Sequence, residues 1–284
     1  MIKDITLGQF FPGDSILHRL DPRMKILISI LFITMIFMAT SVASLIAVTV
    51  LTFLLPSIGR ISLKTVYGAI KPLRWVILIM MILFLFSGSG DGYHVLWEFH
   101  WKFLNLVISI EGIIKAVAVS VRIILLVVSV SVILSYTTSP IALADGIESL
   151  LSPLRVLHIP VHDFAMMLTI AMRFIPILIE ETDKIMSAQS ARGADFTNGS
   201  LIKRAKALIP VFIPLFVSSV RHADNLATAM ECRLYRGGDG RTRMKSLRYQ
   251  ARDLAALFVM SALLLGICYL SGAISHIWLG FHYV

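Results

Sequence analysis

The sequence predicts an all-α integral membrane protein with about five transmembrane helices and a cytoplasmic coupling domain of long crossed helices. Three observations predict this. Of the 284 residues, 57% are hydrophobic and only 15% are charged, whereas a soluble domain carries about 25% charged residues. The apolar residues fall in runs close to the roughly 20 residues that a helix needs to cross a bilayer. Two similar stretches, Ala188–Gly193 and Ala229–Leu234, put an arginine at the fifth position. Each closes a long, mostly apolar segment containing Phe-Ile-Pro, at 174–176 and 212–214.

Each span has its own reason. Ile26 to Gly59 holds no Asp, Glu, Lys or Arg. It is too long for one span, and the polar step Thr40-Ser41 divides it into helices at about 25–40 and 42–57. Pro56 and Gly59 end the second. Trp75 to Phe86 runs into Ser87-Gly88-Ser89-Gly90-Asp91-Gly92, a loop composition, so a third span covers about 71–87. Residues 93–110 are rich in Trp, Phe and His, as interfacial segments are. The remaining spans are about 112–135 and 253–273.

Lysine and arginine set the orientation. Arg19, Arg23 and Lys25 precede the first span, and Arg60, Lys64, Lys71 and Arg74 lie between the second and third. Most of the others fall between residues 155 and 252, and only Lys102 and, at the start of the fourth span, Lys115 lie around the loop between the third and fourth spans. The positive-inside rule then places the N-terminus in the cytoplasm and, after five spans, the C-terminus outside. The polar, mixed-charge start argues against a cleavable signal peptide. Cys232 and Cys268 are too few for a disulfide framework or a zinc site.

Three parts follow: a membrane part at 1–138, coupling helices at 139–240, and a basic linker with the last span at 241–284. Ser139-Pro140 starts a short amphipathic helix over about 140–151, with Asp145 and Glu148 opposite its apolar cluster. Pro153 and Pro160 interrupt the chain. A long helix runs from about Val161 to Ala191, where Gly193 supplies a left-handed stop. At 1.5 Å per residue it is a rod of roughly 45 Å. A second rod runs from about Leu201 to Arg233, bent at Pro210 and Pro214. A single arginine at a helix end is ordinarily a complement to the helix dipole. Two in matched contexts point to two similar partner sites, since a guanidinium fork pairs well with carboxylates and carbonyls in a groove.

The sequence carries no catalytic signature. It has no Gly-Lys dipeptide and hence no P-loop. The Gly-rich 237–240 follows a helix, and no zinc-protease, serine-hydrolase or Cys-x-x-Cys motif occurs. His158, His162 and Asp163 flank Pro160 at a helix start, where Asp163 reads as a capping or dipole partner, not a metal ligand. Arg122, inside the fourth span, either snorkels near the outer interface, the preferred reading, or pairs within the bundle or with a partner. Arg173 is expected to pair with Glu180 or Asp163. Met80, Met81, Met166, Met167 and Met172 read as adaptable packing. The basic tract from Arg233 to Arg252 fits anionic lipid headgroups better than nucleic acid.

Several stretches together resemble one family. They are Phe11-Pro12-Gly13-Asp14-Ser15 with Leu17-His18-Arg19-Leu20-Asp21-Pro22-Arg23, Thr137-Thr138-Ser139-Pro140, Leu151-Ser152-Pro153-Leu154, Arg173-Phe174-Ile175-Pro176 with Glu180-Glu181, Ala191-Arg192-Gly193-Ala194-Asp195, and Ala229-Met230-Glu231-Cys232-Arg233 with Gly237-Gly238-Asp239-Gly240-Arg241-Thr242. Over nearly its whole length the chain resembles the transmembrane T component of energy-coupling factor (ECF) transporters, vitamin importers of the ABC class. The resemblance implies a non-catalytic coupling subunit in a bacterial cell membrane. It implies two ABC-type ATPase subunits as partners, which would bind the ATP and Mg, so that this chain needs no cofactor of its own. It also implies a membrane substrate-binding S component as partner, since the family often shares one T component among several S components. Arg192 and Arg233 are carried over as the ATPase-docking residues, flanked by Ala191, Gly193, Cys232 and Leu234. Leu234 departs from the family pattern, which often has Gly after the second arginine. The unequal signatures suggest a heterodimer of ATPases.

Two other classes compete. A stand-alone secondary transporter predicts inverted repeats broken at mid-membrane, whereas the repeat here lies in the predicted cytoplasmic half. An intramembrane enzyme predicts a convergent polar site within the spans, and four of the five have almost none.

Overall fold

The computed structural model describes residues 11, 13–85, 95–101, 104–153, 161–196, 200–237 and 249–277. His158, Pro160, most of the basic tract and the C-terminal tail lie outside them. The chain divides into two compact units, Gly8–Gly146 with Leu247–Val284, and a second containing Ile147–Ser246.

In the first unit, α1 (Pro22–Met38) starts where the Asp21 carboxylate accepts the Arg23 N–H and Pro22 takes the first helical position, a site where its missing N–H costs nothing. Met24, Ile28, Phe32, Met35 and Ile36 are buried along one face, following the helical repeat. α2 (Val42–Gly59) begins after Ser41, whose N–H donates to Ser44 Oγ at 3.1 Å. It ends in a left-handed turn at Arg60, φ 52°, where Ile61 N donates to Pro56 O at 2.9 Å and Arg60 N to Ser57 O at 3.2 Å.

α3 (Leu63–Ile70) leads through a tight turn at Lys71–Leu73, containing Pro72, into α4 (Arg74–Leu85). α4 buries none of its side chains among the described residues, which leaves an apolar surface suited to lipid. The predicted interfacial segment forms an antiparallel hairpin, β1 (Val95–Trp101) and β2 (Leu104–Ser109), with a bulge between Val95 and Trp97. Its aromatic and β-branched residues suit strands, a signal that composition alone assigned to the interface. α5 (Ile110–Val130) widens into a π-type turn over Ser131–Ser135, closed by Tyr136 N donating to Ser131 O at 2.9 Å. α6 (Pro140–Leu151) contains the division between the units. α9 (Ala251–Ile277) completes the first unit.

The core of this unit is built from α1, α2, α5 and α9 around Phe32, Met35, Ile36, Val48, Leu125, Ile133 and Ile267. A second cluster sets Val66 of α3 against Val128, Val132 and Tyr136. Buried hydroxyls turn to their own helix: Thr52 donates to Val48 O at 2.8 Å and Ser120 to Ala116 O at 2.7 Å, which satisfies them where no water reaches.

The second unit holds α7 (Val161–Ala191) and α8 (Leu201–Cys232). Ser200 Oγ accepts the Lys203 N–H at 3.4 Å at the start of α8. Among the described residues, six helical stretches are long and apolar enough to cross a membrane by length and composition. Four coincide with predicted spans, and the other two are α7 and α8. α1, at 17 residues, spans roughly 25 Å.

Candidate docking site

α7 and α8 meet at a hydrogen bond and a ring contact. Ser218 Oγ donates to Glu181 Oε1 at 3.1 Å, and the rings of Phe174 and His222 pack edge to face with centroids 6.0 Å apart. His222 Nδ1 lies 2.9 Å from Ser218 O, which orients the ring. The contacts run in opposite order along the two helices, so α7 and α8 are antiparallel there and their C-terminal ends lie on opposite sides of the contact. Arg192 lies 11 residues beyond Glu181, and Arg233 lies 15 beyond Ser218. At 1.5 Å per residue the two arms are roughly 16 and 22 Å long.

Both arms end in the same backbone motif. After α7, Gly193 N donates to Ser190 O at 3.0 Å and Ala194 N to Gln189 O at 3.0 Å. After α8, Leu234 N donates to Glu231 O at 2.8 Å and Tyr235 N to Met230 O at 3.0 Å. This paired hydrogen bonding is the Schellman ending, which requires a left-handed residue just past the cap. Gly193 takes that position at φ 89° and Leu234 takes it at φ 56°. Each arginine therefore occupies the equivalent cap position. Arg192 and Arg233 are exposed, and neither forms an ion pair with a described residue.

The two ends differ in one respect. Glycine enters the left-handed region freely, whereas an L side chain pays about 1–2 kcal/mol there. Leu234 stays in that conformation with its side chain 76% exposed, so no packing within the described chain compensates for the strain. Ala191 and Cys232 precede the arginines and are also exposed. The structure thus gives all six sequence-predicted residues one matched geometry at two separate places.

Other expectations resolve as follows. Arg173 is exposed and pairs with neither Asp163 nor Glu180. Arg122 Nη2 donates to Ala39 O at 2.9 Å, at the C-cap of α1, so it is paired within the bundle. Glu148, placed by periodicity on a polar face, is 8% exposed and its Oε1 lies 3.1 Å from His162 Nδ1. This pair ties α6 to the first turn of α7, where Asp163 sits as read.

Sequence reasoning missed a buried polar knot in the first unit. Lys25, 2% exposed, donates from Nζ to Thr137 O at 2.8 Å and Thr138 Oγ1 at 3.1 Å. Asp253, also 2% exposed, accepts from Asp21 N at 3.0 Å and Gln250 N at 2.8 Å. Arg23 stacks over Tyr249 with its guanidinium carbon 5.1 Å from the ring centroid. Gly146 approaches Pro22 so closely that a Cβ would come within 3.1 Å of its side chain. The quoted Leu17–Arg23 and Thr137–Pro140 stretches thus meet here, and the only forward signal was their charged and hydroxyl residues beside apolar runs.

A family model described as "Cobalt transport protein" (CbiQ) matches residues 13–244. The chain is 48% identical over 280 residues to the energy-coupling factor transporter transmembrane protein EcfT of Clostridium kluyveri, covering 99% of this chain and 100% of that one. It is 47% identical to the protein of the same name from Acidaminococcus fermentans, covering 95% and 98%. The corresponding Lactococcus lactis protein is 42% identical, covering 93% and 98%.

Proposed function

Because the chain belongs to the family of energy-coupling factor transporter transmembrane proteins, we propose that it is the non-catalytic coupling subunit of an ATP-driven importer. It is a multi-pass membrane protein. The observation that carries the proposal is the pair of equivalent arginine caps on two helices that pack against each other. Each cap offers a charged fork on a rigid rod, the kind of group that seats in a partner's groove.

The mechanism follows from the crossing. Two ABC-type ATPase subunits hold Arg192 and Arg233, one each, and bind the ATP and Mg. When they close on ATP their grooves approach, and the two arms turn about the Glu181–Ser218 and Phe174–His222 contacts. The exposed apolar side chains of α8, such as Phe212, Ile213 and Phe216, offer a surface for the membrane-embedded S component, which the motion reorients. The S component, not this chain, selects the vitamin or other micronutrient, and one coupling subunit serves several. The unequal residues after the two arginines, Gly193 and Leu234, support two non-identical ATPases. Residues 139–240 are cytoplasmic in this reading, with the N-terminus inside and the C-terminus outside.

Reconstitution in proteoliposomes tests it. Uptake is expected only when this chain, both ATPases and an S component are present together. Solute uptake by the chain alone overturns the proposal in favour of a secondary transporter.

A further inference from the structure

We propose that α3, the turn after it and the start of α4 form a binding surface for anionic phospholipid headgroups. Lys64, Tyr67, Lys71 and Arg74 follow one another at intervals of three, four and three residues, which places them on one stripe of the continuing helix. Arg60 precedes the stripe, held by its left-handed turn. All five are exposed. The opposite face is fixed, because Val66 is 3% exposed and packs on Val128, Val132 and Tyr136. The helix therefore cannot roll to hide the stripe.

The charge on this surface is one-sided. No Asp or Glu occurs between Asp21 and Asp91, and none of the four cations forms an ion pair with a described residue. Juxtamembrane clusters of this size attract anionic lipid. At Gly68 nothing lies within 4 Å of where a Cβ would stand, so the stripe has open space beside it.

The surroundings favour a lipid over a soluble anion or an acidic protein. Leu63, Tyr67 and Trp75 alternate with the cations and are 66%, 68% and 62% exposed. Arg74 lies over Trp75, its guanidinium carbon 5.5 Å from the ring centroid. Tyr and Trp favour the headgroup level. The stripe then runs straight into α4, where Leu78, Ile79 and Ile82 are exposed. A phosphate on the cations with acyl chains along α4 satisfies both parts, and only a phospholipid has both.

The test uses the full chain with Trp97, Trp101 and Trp278 replaced by Phe, leaving Trp75 as the reporter. It is reconstituted in phosphatidylcholine vesicles containing brominated phosphatidylglycerol or, at the same mole fraction, brominated phosphatidylcholine. Brominated phosphatidylglycerol is expected to quench Trp75 about twofold more, with the preference falling at high salt. Neutralisation by Arg60→Gln, Lys64→Gln, Lys71→Gln and Arg74→Gln is expected to abolish the preference, and Lys64→Arg with Lys71→Arg to keep it. Equal quenching by the two lipids in the chain with native cations overturns the proposal, whatever the neutralised variant does. So does an unchanged preference after neutralisation. Loss of ATPase copurification in the neutralised variant, without any lipid preference in the parent, assigns the stripe to a protein partner instead.

Discussion

Asp253 Oδ1 accepts the backbone N–H of Asp21 at 3.0 Å and so joins the entry of α1 to the entry of α9 across 232 residues of sequence. Its other oxygen accepts Gln250 N at 2.8 Å. One buried carboxylate thus caps the last helix and holds the turn that starts the first, with Lys25 fastened nearby to Thr137 and Thr138. Removing it leaves the buried Asp21 N–H without its acceptor, frees the Gln250 N–H, and takes from Lys25 one of its two neighbouring carboxylates, Asp21 being the other.

Asp253→Ala is therefore expected to destabilise the first unit by about 3 kcal/mol, read as a lower thermal unfolding midpoint of the purified chain in detergent. Lys25→Met with Asp253→Asn is expected to cost less than the sum of the two single changes, because the groups share one network. Additive costs would separate them.

Leu234 carries strain that Gly193 avoids. Leu234→Gly relieves about 1–2 kcal/mol of left-handed strain against about 0.5–1 kcal/mol of added chain entropy. The net expectation is a small gain in stability, seen as slower amide hydrogen exchange in the last turn of α8. Gly193→Leu is expected to speed exchange in the last turn of α7. Faster exchange in the Leu234→Gly chain would mean that Leu234 makes a compensating contact.

Arg122 anchors the end of α1 from within α5. Arg122→Met leaves the Ala39 carbonyl without its donor and is expected to cost about 1 kcal/mol. Arg122→Lys keeps the charge but loses the planar fork, and is expected to recover only part of that. Equilibrium unfolding of the three chains in detergent orders them.

Much of the helix plan was legible because hydropathy and stop signals are local. Thr40-Ser41 divides α1 from α2, Ser139-Pro140 starts α6, and Gly193 ends α7, as the residues read. The end of α8 was placed within a residue by the arginine stretch, although its left-handed residue proved to be Leu234. What was not legible depends on distant partners. Periodicity put Glu148 on a polar face, since it reports only the helix's own repeat, while the imidazole that meets the carboxylate comes from another helix. Lys25 finds its acceptors 112 and 113 residues away, and no local pattern encodes that. The hairpin at 95–109 was hidden because Trp, Phe and Val serve interfaces and strands alike. Arg192 and Arg233 were visible as a repeated motif, but their equivalent cap geometry appears only in the backbone hydrogen bonds.

The central claim is that Arg192 and Arg233 each seat in one ATPase subunit. The most direct measurement is copurification of the two ATPases with the parent chain, with Arg192→Glu, with Arg233→Glu and with the double variant. Each single change is expected to weaken retention of one ATPase, and the double change is expected to lose both together with coupled ATP hydrolysis. Full retention and full coupled hydrolysis in the double variant would contradict the account.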